Sequence, residues 1–204
     1  MTVKLKDVKK NFFVDTAIKL FLSESIEKVT IKDIATEAGV GEMTIYRYFG
    51  SKRNIVAEAV IRLQNIVFTD YFKIDETKSG YERLEMFYNT FLNVFTNRPE
   101  FFKFIKEFDI FMMNEPSDML QEYEDELSRF KAVYLYCYKT GLEDGTVRNI
   151  EDVELFYFTS THALIELCKK LSYSKGVLPQ DEKIEKNKEL KCLINVFLST
   201  VKNS

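Results

Sequence analysis

Tryptophan is absent from this chain, histidine occurs once, and 204 residues hold only three prolines and seven glycines. So few chain breakers argue for long helices and against a turn-rich sheet fold. A lone His162 leaves no Ser-His-Asp set, and the sequence holds neither a glycine-rich phosphate loop nor a cluster of metal ligands. His162 itself falls in an apolar stripe, where a packed residue is expected rather than a catalytic base. No enzymatic activity, metal or cofactor is expected. Cys137, Cys168 and Cys192 are odd in number and far apart, which suits neither a disulfide framework nor a zinc site. Three core thiols in a reducing cytoplasm are the expectation. No run of about 18 apolar residues offers a membrane span, and the basic start MTVKLKDVKK lacks the apolar stretch of a secretion signal.

What the chain does have is hydrophobic content of 46 % with 30 % charged residues, enough for one or two globular domains with a sizeable core. The net charge of −3 by itself argues against a nucleic-acid partner, but it is unevenly spread. Residues 1–53 carry ten basic side chains against seven acidic ones, leaving nineteen against twenty-five in the rest. A basic head on an acidic body would meet DNA head first. Lys4, Lys6, Lys9 and Lys10 suit either a mobile arm along a phosphate backbone or a solvated charge run.

Residues 30–52, TIKDIATEAGVGEMTIYRYFGSK, carry the sharpest signal. Thr30 precedes an apolar-periodic run with Asp33 three residues on, the pattern of a capping box at a helix start. Ile31, Ile34, Ala35 and Ala38 form a narrow buried stripe, with Ala35 small where a crossing helix must come close. Gly39 is placed to supply a left-handed backbone that ends the first helix, with Val40 behind it. Ile45 and Phe49 anchor a second helix from below. Glu42, Met43, Thr44, Tyr46, Arg47 and Tyr48 are left to face outward or sideways, as a helix-turn-helix requires of its recognition helix.

These residues resemble the DNA-binding domain of the TetR family, through AxKLF at Ala17–Phe21, TIKDIAxEAGV at Thr30–Val40, TIYRYF at Thr44–Phe49 and Ser51-Lys52. The resemblance covers Phe12 to Val60. It implies dimeric bacterial transcriptional regulators, mostly repressors that a small ligand releases from double-stranded DNA. Three departures from the family pattern stand out. Ser25 replaces a usual glycine, Gly41 replaces a Ser or Thr cap, and Met43 stands where a small residue is common. Glu42 is acidic where many relatives are neutral or basic, so base preference does not carry over. The expected DNA contacts are Thr30, Tyr46, Tyr48 and Lys52 at phosphates, and Thr44 and Arg47 at base edges, Arg47 most plausibly on guanine.

After residue 53 only helical periodicity appears. A long helix is expected from the Ser51 cap to about Phe72, and a second through Leu84–Phe95. Another should begin at Pro99 and run to about Met113. Further helices are expected from Pro116-Ser117-Asp118 to a stop at Gly141, from an Asn149 cap to Ser172, and from about Pro179 to Val201. The predicted fold is all-α with about nine helices. An N-terminal three-helix helix-turn-helix domain, residues 1–50, is followed by a helical effector-binding and dimerisation domain, residues 51–204.

The last two helices each show two apolar faces, and a second face implies a second partner. Leu155, Phe158, His162, Ile165, Cys192 and Val196 are the candidates for a homodimer interface. The 18 Phe and 11 Tyr form stripes that are more often core than ligand site. In the family, however, an effector pocket lies between the segments 87–95 and 101–113. Phe91, Phe95, Phe104 and Phe108 are the candidate lining for a hydrophobic or aromatic ligand. The competing reading is a ligand-independent DNA-binding protein acting through architecture or a protein partner, which requires a body filled by its own side chains.

Overall fold

The computed structural model describes residues 5–113, 120–173 and 183–203. Among these the architecture is all-α, with nine helices and a single isolated β-bridge between Val147 and Lys202. The helices are α1 (Leu5–Ser23), α2 (Ile31–Glu37), α3 (Glu42–Phe49), α4 (Lys52–Tyr71), α5 (Gly80–Asn97), α6 (Pro99–Met112), α7 (Gln121–Glu143), α8 (Val153–Leu171) and α9 (Lys186–Val201). The expected starts at Pro116–Asp118 and Pro179 lie outside the described residues, as does Lys4. No helix among the described residues is long and apolar enough to cross a membrane.

The described residues group into two compact units, one from Met1–Asn65 with Lys103–Asp125, the other from Ile66–Phe102 with Glu126–Ser204. In the first, α1 buries Phe13, Val14, Ala17, Ile18 and Phe21 on one face. They meet a core that includes Ile34, Ile45, Phe49, Ile55 and Val60. Phe104 of α6 lies in this unit, its ring 6.3 Å from that of Phe21. Full burial of a side chain of this size contributes about 1.5–3 kcal/mol, so residues 103–112 of α6 are a structural part of the first unit. Lys6, Lys9 and Lys10 stand on α1 rather than on a mobile arm, and Lys10 pairs with Glu58 of α4.

In the second unit α5 packs against α8 and α9 around Phe87, Tyr88, Tyr134, Leu164, Leu190 and Ile194. Tyr88 and Ser160 share a buried hydroxyl–hydroxyl hydrogen bond of 2.8 Å. Two sequence expectations fail here for identifiable reasons. Gly141 does not stop its helix, because α7 continues to Glu143. Its role is contact: a Cβ on Gly80 would lie 2.0 Å from the Gly141 nitrogen, and a Cβ on Gly141 would lie 2.3 Å from Val147 Cγ2. The left-handed turn is made instead at Gly145, φ +75°. Asn149 does not cap α8 either. Asp152 does, its side chain accepting from the Leu155 N–H at 2.9 Å.

Candidate nucleic-acid interface

The turn between α2 and α3 is built by hydrogen bonds the sequence anticipates. The Asp33 N–H donates to Thr30 Oγ1 at 3.2 Å, while the Asp33 carboxylate accepts from the Thr30 N–H at 2.8 Å and its hydroxyl at 2.6 Å. Those bonds, the hydroxyl first, hold the Asp33 carboxyl below the usual carboxylate range. At the other end Gly39 takes φ +67°. Its N–H donates to Thr36 O at 3.1 Å and the Val40 N–H donates to Ala35 O at 2.9 Å, which closes the helix in a Schellman motif. Ala35 is buried. The pair α2–α3 is thereby held in a fixed crossing.

Gly41 caps α3 with no side-chain bond, which costs only a few tenths of a kcal/mol relative to Ser. The Ser25 substitution is equally benign. Among the described residues only glycines have positive φ, so nothing at position 25 requires one. Ile45 and Phe49 are buried beneath α3, and on its outer side Met43 is 77 % exposed. Glu42, Tyr46 and Arg47 are exposed with it, while Thr44 and Tyr48 are half-buried. The Tyr48 ring meets Phe13 edge-on at 5.2 Å, and the Arg47 guanidinium lies 6.0 Å from the Tyr48 ring. The result is one solvent-facing strip with an arginine, two phenols and a hydroxyl.

Lys52 stands at the start of α4, whose Ser51 hydroxyl accepts from the Asn54 N–H at 3.2 Å. Lys52 is half-buried. Its ammonium donates to Glu27 O at 3.2 Å and lies 5.4 Å from the centroid of the Phe111 ring on α6. Burial lowers its pKa, against the smaller opposing effects of Glu27 and Asp33. The sequence gives no sign of this engagement, because Glu27 and Phe111 are remote in chain order. A second capping box, Ser79 with Glu82 at the start of α5, bears on stability rather than on this surface.

The other candidate residues fall elsewhere. In the first unit Phe104 packs on Phe21 and Phe108 on Tyr123. In the second, Phe91 packs on Phe72 and Phe87, and Phe95 on Phe102. All four are buried. On α8, Leu155 is 61 % and Phe158 42 % exposed, His162 is exposed and Ile165 half-buried. The Phe158 and His162 rings are 5.7 Å apart. On α9, Cys192 and Val196 are exposed beside a shallow depression that Lys188 and Asn195 also line. The expectation of three core thiols is corrected accordingly: Cys137 and Cys168 are buried, with burial pushing them up to about 11 and about 12, and Cys192 is not.

Taken together, the fold and the α2–α3 geometry define a helix-turn-helix protein with an all-helical remainder. Residues 13–59 match the profile described as bacterial regulatory proteins, tetR family. An HTH-type transcriptional regulator of Staphylococcus aureus (strain USA300) is 33 % identical over 84 residues, 40 % of this chain and 45 % of that protein. The match thus spans less than half the length of the curated relative. Among solved structures, KstR2 of Mycobacterium tuberculosis, a ketosteroid transcriptional regulator, aligns with TM-score 0.64 at 18 % identity, covering 96 % of this chain and 95 % of its own. FadR from Bacillus subtilis, solved in complex with stearoyl-CoA, aligns with TM-score 0.69 at 16 % identity, covering 92 % and 97 %. At such identities the likeness is one of fold. Over residues 13–59 the chain is thus similar to the tetR family of bacterial regulatory proteins.

Proposed function

We propose that this protein is a transcriptional regulator that binds a palindromic DNA operator as a homodimer and is released from it by a small hydrophobic or aromatic ligand. The observation that carries the DNA reading is the exposed strip on α3, with Arg47, Tyr46 and the half-buried Tyr48 and Thr44 above the buried Ile45 and Phe49. Arg47 and Thr44 are assigned to base edges, and Thr30, Tyr46, Tyr48 and Lys52 to phosphates. The functional division places DNA binding in residues 1–50 and effector binding with dimerisation in residues 51–204. The modest positive surplus of the head makes two linked heads necessary for useful affinity. The stripe of exposed Leu155, Phe158 and His162 and half-buried Ile165, with exposed Cys192 and Val196, is assigned to that pairing.

The ligand half of the proposal rests on the buried aromatic side chains Phe91 and Phe95 in the second unit and Phe104 and Phe108 in the first, and on fold relatives such as FadR, solved with stearoyl-CoA. A hundredfold loss of operator affinity requires the ligand to favour the DNA-incompetent state by about 2.7 kcal/mol. One observation favours the ligand-independent alternative: each of these four phenylalanines already packs against a ring of its own unit. The test is gel shift and footprinting on promoter fragments, with and without hits from a thermal-shift screen of dyes, fatty-acid derivatives and antibiotics. A protected palindrome that a hit releases supports the reading. Protection without release by any stabilising hit supports the alternative, and purely non-specific binding removes both.

A further inference from the structure

Lys52 is placed at once as a phosphate contact and as a cation already in use. Its ammonium donates to Glu27 O at 3.2 Å and lies 5.4 Å from the Phe111 centroid, within range of an attractive cation–π contact. The segment that supplies the Glu27 carbonyl is itself held by α6. The Glu107 carboxylate accepts from the Ile26 N–H at 2.9 Å. Lys103 Nζ reaches Glu24 O at 3.5 Å and pairs weakly with Glu107 at 4.0 Å. Ile26 is 1 % exposed, so its N–H has no access to water, and losing Glu107 would leave a buried donor unsatisfied. All of these residues lie in the first compact unit. A lysine that donates to a backbone carbonyl and rests on a ring has one of its three N–H donors already used and its head held back, so a phosphate must compete for it.

We infer that α6 sets DNA affinity by parking Lys52: Phe111 holds the ammonium directly, and Glu107 positions the segment 24–27 whose carbonyl receives it. This rests on the DNA-binding reading above. In the form shown, Lys52 is withheld. Displacement of α6 frees one cation per head for a phosphate. The regulated quantity is one phosphate contact on each head, which a dimer doubles.

The experiment compares wild type, Phe111→Leu, Lys52→Ala and the double variant on the promoter fragment that wild type protects. Phe111→Leu keeps the apolar packing and removes the π face. It should tighten binding roughly 3- to 10-fold and steepen the salt dependence by about 0.9 per head. Both gains should vanish in the Lys52→Ala background. Unchanged or weaker binding by Phe111→Leu, with thermal stability close to wild type, would overturn the inference, as would an equal gain without Lys52.

A second readout needs no DNA. In ¹³C-methylated-lysine NMR, one signal, assigned through Lys52→Arg, should be shifted upfield by the Phe111 ring and return in Phe111→Leu. Absence of that shift in wild type would also overturn the inference. A shift that is present while wild type binds no specific DNA would remove the DNA reading, leaving Lys52 held but with nothing to regulate.

Discussion

At the scale of single residues, the turn between α2 and α3 is fixed by side chains whose roles follow from local chemistry. Thr30 and Asp33 satisfy each other's N–H groups at the start of α2. Thr30→Ala should cost about 0.5–2 kcal/mol, measured by urea denaturation, and a neutral result would mean the cap contributes nothing. Four carboxylates titrate below their usual range because they accept hydrogen bonds. They are Asp33 from Thr30, Asp75 from Thr77, Glu82 from Ser79, and Asp144 from the Thr146 hydroxyl and then the Gly80 N–H. A carboxylate with a depressed folded pKa stabilises the fold fully above its unfolded value, about 4. That contribution disappears as pH falls through the folded value. Thermal midpoints should therefore hold from neutral pH down to roughly 5 and drop below about 4. Asp144→Asn should flatten part of that drop, and an unchanged profile in the variant would contradict the assignment.

At the scale of helices, glycine does two different jobs that sequence cannot separate. Gly39 and Gly145 supply positive φ in turns, whereas Gly80 and Gly141 let two helices touch. A Cβ on Gly80 would meet backbone atoms of Gly141 at 2.0 and 2.2 Å, and backbone cannot move aside as a flexible side chain can. Gly80→Ala should cost at least the 1–3 kcal/mol typical of overpacking, whereas a surface alanine on α9 such as Asn195→Ala should be near neutral. Equal stability of Gly80→Ala and wild type would refute the close crossing. The helix-turn-helix was legible because each signal is local: S/T-x-x-D, a 3-4 stripe, then a glycine. Gly141 misled because a glycine late in a helical run looks the same whether it ends the helix or lets another pass. Asn149 misled because Asp152, three residues on, competes for the same capping role. The engagement of Lys52 by Phe111 was invisible for a third reason: it joins residues nearly sixty positions apart, and no period or motif encodes that pairing.

At the scale of the whole molecule, the basic bias of residues 1–53 and the exposed stripe on α8 and α9 are the two surfaces that the proposed function assigns to partners. Two heads must act together if a surplus of three positive charges is to hold a duplex. Phe158→Glu should place a charge in the proposed interface and yield monomers in sedimentation velocity at concentrations where wild type is dimeric. A variant dimer as stable as wild type would move the interface elsewhere. The central claim, that the outer strip of α3 selects a DNA sequence, is tested most directly by one ratio. That ratio is the affinity for the protected palindrome over that for a random duplex of equal length, measured by fluorescence anisotropy for wild type and Arg47→Ala. The account predicts a large wild-type ratio that falls by about 1–3 kcal/mol in Arg47→Ala. A wild-type ratio near one, or an Arg47→Ala variant that weakens both duplexes equally, would contradict it.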